Sequence, residues 1–110
     1  MQSIILAALV VGKLSFDTHR EKEMLTIIPM ITLPVACECQ VTVETQRKGD
    51  SGQSISRQQS MVSIPSDTPL SLGTLMINAP SSDEIQISVT VSNGKEVNLS
   101  NSWSPGVQKS

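Results

Sequence analysis

The chain has 110 residues, enough for one domain of ordinary size and too few for two. Hydrophobic residues make up 38 % and charged residues 16 %, which argues against a disordered chain, and a net charge of −2 argues against a nucleic-acid binder with a broad basic surface. One His, two Cys, one Trp, one Phe and no Tyr leave few catalytic side chains and require a core of Ile, Val, Leu and Met, so neither an enzyme nor a cofactor is expected.

The first feature in chain order is the apolar run Ile4 to Gly12. It is far short of the ~20 residues of a membrane-spanning helix and reads as a secretory leader over residues 1–10, the alternative being a first strand. Residues 11–104 form the expected domain, and residues 105–110 an aperiodic tail. Leu14 and Phe16 alternate with Ser15 and Asp17 in a short strand, followed by the charged turn His19 to Glu23. In MLTIIPMITLPVA, Leu25, Ile27, Ile31 and Leu33 share one parity, with Ile28 and Met30 on the other. Pro29 cannot donate to a ladder, which predicts an edge or a bulge. The stretch ACECQVTVETQ alternates strictly, with Cys37, Cys39, Val41, Val43 and Thr45 on one face. Arg47 to Gln53 is polar and Gly-rich, a connecting loop by composition.

Val62 and Ile64 mark a strand from Ser60 to Ile64. Leu70, Leu72, Leu75 and Ile77 mark another, with a parity change at Gly73 that predicts a bulge. From Glu84 to Ser92, Ile85, Ile87, Val89 and Val91 line one face. Asn93-Gly94 predicts a two-residue type I′ turn into a last strand through Val97 and Leu99 to Trp103. About seven short antiparallel strands with regular turn signals predict an all-β chain, an immunoglobulin-like sandwich, with the cysteine strand and the Glu84 to Trp103 hairpin in one sheet.

Two readings of Cys37 and Cys39 stay open. Residues i and i+2 of an extended strand lie about 6.6 Å apart with parallel side chains, so a bridge needs a local distortion and closes almost no loop. The pair is then either a labile redox couple or two small buried hydrophobes, and Val41 and Val43 on the same face favour burial. Cys37, Cys39 and His19 do not have zinc-site spacing and lack a fourth ligand. Gly49-Asp50-Ser51-Gly52 echoes a protease nucleophile loop, but the chain is about half the size that fold requires. Asn98-Leu99-Ser100 matches a glycosylation sequon in mid-strand and carries no weight. Arg47, Lys48 and Arg57 make a modest basic group around the 47–57 loop, read either as solvated charges or as a surface for an acidic or polar client.

The segments LTIIPMITLP, GDSGQSISRQQ and ISVTVSNGKEVNLSNSW, the CxC pair and the terminal QKS together resemble the CsgC family of curli assembly proteins over essentially the whole chain. The resemblance implies an exported, periplasmic, immunoglobulin-like protein of the curli (thin aggregative fimbriae) pathway. In that role it acts like a chaperone on a transient client, the major curli subunit CsgA, and prevents premature amyloid formation. Cys37 and Cys39 match the family's cysteine pair. The alternative implied role is thiol–disulfide exchange with components of the curli secretion pore. A monomer is expected, without nucleic acid, metal or stable membrane insertion.

Overall fold

The computed structural model describes residues 12–50, 52–78 and 83–105. The expected leader over residues 1–10, and residues 106–110 of the expected tail, lie outside the described residues. Among these described residues eight strands follow in order: β1 Lys13–Glu21, β2 Met24–Thr32, β3 Cys37–Gly49, β4 Gly52–Ile64, β5 Leu70–Ser71, β6 Leu75–Asn78, β7 Glu84–Ser92 and β8 Asn98–Trp103. One sheet runs β1-β2-β5 with β6 also on β2, and the other runs β4-β3-β7-β8. Every strand pairing is antiparallel. The all-β expectation holds, and this arrangement is compatible with an immunoglobulin-like sandwich. The expected sheet of cysteine strand and C-terminal hairpin is present, because β3 pairs β7 and β7 pairs β8.

Side-chain alternation decides the faces. Leu25, Ile27 and Ile31 of the first sheet, with Leu33 just beyond β2, are buried against Cys39, Val41, Ile87, Val89 and Val91 of the second. Full burial of each such side chain contributes about 1.5–3 kcal/mol. Among the described residues no polar side chain is buried, and no buried side-chain donor or acceptor lacks a partner. The molecule is elongated, 57 × 30 × 27 Å, and its two longest strands, β3 and β4, form one hairpin.

Four local expectations are corrected. Most of the charged turn belongs to strands: only Lys22 and Glu23 separate β1 from β2, and Lys22 takes a positive φ of 58°. Pro29 is fully buried in a central strand, not at an edge. Its ring nitrogen costs no ladder bond because β2 meets β6 through Ile27 and β5 from Met30, leaving a break opposite Ile28 and Pro29. There Leu72 donates its N–H to the Pro29 carbonyl at 2.9 Å. The bulge predicted at Gly73, φ 127°, is that same break, and it splits one expected strand into β5 and β6.

The two remaining corrections concern turns. The expected loop from Arg47 to Gln53 is largely strand, since β3 continues to Gly49, which is in register with Gly52. Asn93-Gly94 is not a two-residue turn: Ser92 pairs Asn98, so five residues connect β7 and β8. The Asn93 carboxamide oxygen accepts from the backbone N–H of Lys95 at 2.8 Å and of Val97 at 3.1 Å. That closure lets Val97 enter the core as an anchor under the loop, and its burial outweighs the tighter turn.

Candidate functional site

The cysteines open β3, where the strand is paired on one side only. Cys37, Glu38 and Cys39 face Ile64, Ser63 and Val62 of β4, whereas pairing with β7 begins at Gln40. With no second ladder to maintain, this end of the strand is free to contract, and the two Cα atoms stand 5.5 Å apart. Cys37 and Cys39 are bridged by a disulfide. Of the two open readings, simple packing of free thiols is therefore replaced by a bridge, while the burial expected from Val41 and Val43 holds. Cys39 has no exposed surface and Cys37 retains 8 %. Outside the bridge lies an open depression lined by Ala36, Cys37, Glu38, Ser63, Ile64 and Pro65, across which the Ser63 hydroxyl donates to the Glu38 carboxylate.

His19 lies on β1 in register with Thr26, on the solvent side of the first sheet, whereas the cysteines face the core. The trio considered for a metal is therefore not brought together. The three basic residues are also not one patch. Arg47 follows Cys37, Cys39 and Val41 on the inward-facing row of β3, while Lys48 and Arg57 lie on the outward row. Each has a carboxylate beside it. The Arg47 guanidinium bonds Asp83 at 2.9 Å and donates to the Asn78 carbonyl at 2.6 Å. Arg57 lies 3.6 Å from Glu44, and Lys48 is in register with Glu84 of β7. Two of the three basic residues of the sequence reading are thus held in local ion pairs. Asp83 escaped the sequence reading because its partner is 36 positions away. In the fold it lies against Gly49, where a methyl would collide with the Asp83 carboxylate.

The comparisons with known proteins agree with this geometry. The family described as Tafi-CsgC, thin aggregative fimbriae synthesis protein, matches residues 5–103. Curli assembly protein CsgC of Escherichia coli is 37 % identical over 110 residues, covering all of both chains. Its counterpart from Salmonella typhimurium is 36 % identical over 108 residues, 98 % of this chain and 100 % of that one. Among solved structures, E. coli curli protein CsgC superimposes with a TM-score of 0.80 at 38 % identity, over 87 % of this chain and 100 % of the other. R. palustris CsgH shares the fold alone, with a TM-score of 0.69 at 15 % identity over 86 % and 93 % of the two chains. Matched along nearly its whole length in sequence and in fold, this chain belongs to the CsgC family of curli assembly proteins.

Proposed function

We propose that the chain is a periplasmic, non-enzymatic assembly factor that holds the major curli subunit CsgA in an unpolymerised form before secretion. The observation that carries this reading is the full-length similarity to curli assembly proteins. Amyloid nucleation requires several client strands to meet at once, and growth then proceeds by adding strands to an exposed edge. A small β protein that transiently occupies an extended client strand lowers the population available for that encounter. The polar outward row of β3 supports the reading, because a soluble inhibitor must keep its own sheet face solvated: Glu38, Gln40, Thr42, Glu44 and Gln46 cover the outside of that strand. The ion pairs of Arg47 with Asp83 and of Arg57 with Glu44 favour weak, brief client contact over tight electrostatic capture.

The test is fibrillation of purified curli subunit with substoichiometric protein, either wild type or Cys37→Ala/Cys39→Ala. Both proteins should lengthen the lag phase to a similar extent. Absence of any delay from either protein overturns the proposal.

A second reading, thiol–disulfide exchange with a secretion component, is favoured by the bridge itself. A partner thiolate would attack the Cys37 sulfur, expelling Cys39 as thiolate, and a second partner thiol would close the partner's disulfide, leaving two thiols here. Attack at Cys37 is the accessible route, but it expels a charge into the apolar core at Cys39, which opposes the step. A delay given by the wild type and lost in the double variant would establish this reading, whereas a reduction potential below about −300 mV counts against it.

A further inference from the structure

β4 is an unprotected edge. It ends the order β4-β3-β7-β8, and its residues are exposed from Gly52 to Met61. Natural edges are blunted by Lys, Pro, bulges or short length. This one is 13 residues long, holds no proline, pairs with β3 without a register break, and has Arg57 as its one charged residue. Two of the largest exposed hydrophobic side chains of the described residues lie on it, Ile55 at 57 % and Met61 at 66 %. Both are on the outward row, in register with Gln46 and Gln40.

Their placement is symmetric. Gln58 is the middle residue of β4, and Ile55 and Met61 stand three positions to either side of it. We propose that a second copy of this chain adds to β4 antiparallel about a two-fold axis at Gln58, joining the two four-stranded sheets into one continuous sheet.

In that register all of Gly52–Ile64 is paired. Ile55 of each copy opposes Met61 of the other, twice, while Ser56 opposes Ser60 and Arg57 opposes Gln59. Isologous pairing of this kind is the usual route to a closed dimer. Antiparallel hydrogen bonding joins residues of like parity, so neighbouring registers slip by two. Centring on Arg57 sets two guanidinium groups directly opposite each other, which is repulsive, and centring on Gln59 sets Met61 against Arg57. The register at Gln58 is the one of these three that joins the apolar side chains and separates the charges. Arg57 stays compensated by Glu44 of its own chain. The occupant is a copy of this chain because the pattern is self-complementary, a property that an unrelated client strand would not require. The inference revises the expectation of a monomer and is independent of the curli subunit reading.

Sedimentation velocity over a concentration series tests it on the full mature chain. The expected result is a reversible dimer whose dissociation constant rises about tenfold or more in Ile55→Lys/Met61→Lys, since like charges then line the shared edge. Met76→Lys, an equally exposed position on the other sheet, should leave it unchanged. Far-UV circular dichroism checks that the variants fold. A second measurement avoids edge charges: with Cys37 and Cys39 already bridged, Gln58→Cys supplies one thiol on the axis and should form a covalent dimer under mild oxidation faster than Gln59→Cys. A monomer at every concentration, a dimer insensitive to the edge variants, or faster cross-linking at position 59 would overturn the proposal.

Discussion

At Cys37 and Cys39 the bridge spans one residue, so its stabilising effect through loop closure is small, about 1–2 kcal/mol against about 3 for a 15-residue loop. The packing of the sulfurs matters at least as much, because Cys39 is fully buried. Reduction of the wild type should therefore lower unfolding stability by no more than about 1.5 kcal/mol, while Cys37→Ala/Cys39→Ala loses a further 1–2 kcal/mol or so through the deleted buried atoms. Urea denaturation with and without a dithiol reductant separates the two losses. A reduced protein as unstable as the Ala variant would show that the cross-link dominates. The burial of this pair was legible from alternation with Val41 and Val43. The bridge was not, because it depends on β7 ending at Ser92 and leaving one side of Cys37 and Cys39 without a ladder.

Among elements, the β3–β4 hairpin departs furthest from its sequence reading. Composition marks Gly49 and Gly52 as loop glycines, yet they are in register at the hairpin tip, and Gly49 has a second role under the Asp83 carboxylate. Asp83 in turn holds Arg47, which reaches the Asn78 carbonyl at the end of β6. One glycine thus permits a link between the hairpin and the first sheet. Gly49→Ala should cost about 1 kcal/mol by displacing Asp83, and should be close to neutral when Asp83 is already Ala. A thermodynamic cycle on the two positions measures the coupling, and strictly additive losses would refute the link. The outer half of β4 was invisible for a different reason. QSISRQQS lacks alternation because both its faces meet solvent, so no apolar period marks it as a strand.

For the whole molecule, both sheets contribute to one core, and among the described residues no separate apolar cluster would let either fold alone. The Asn101 side chain adds a polar tie by donating to the Leu14 carbonyl at 2.8 Å, joining β8 to β1 across the sandwich. Unfolding should therefore be a single cooperative event. Trp103, on β8 and packed against the core, is the one Trp in a chain without Tyr, so its fluorescence reports the second sheet cleanly. Fluorescence and far-UV circular dichroism should follow coincident urea transitions with equal midpoints. Separated transitions would mean that the two sheets unfold independently.

Alternation is local, with a period of two residues, and by itself it determined which side chains of β3 and β7 face inward. Val41, Ile87 and Val91 fall on apolar faces by alternation and are buried, and the same pattern bounds β7 as Glu84–Ser92, whereas in β2 apolar residues on both rows, Ile28 and Met30 opposite Leu25, Ile27 and Ile31, leave the buried row to the tertiary structure. Which strand lies beside which, and where a ladder stops, depends on residues far apart in the chain. Tertiary structure alone therefore decided the disulfide, the tolerated Pro29, the charge pairs of Arg47 and Arg57, and the exposed edge at β4. The physical reason is that a strand's own pleat orients its side chains, whereas its free hydrogen-bonding groups acquire a meaning only when a neighbour arrives or fails to arrive.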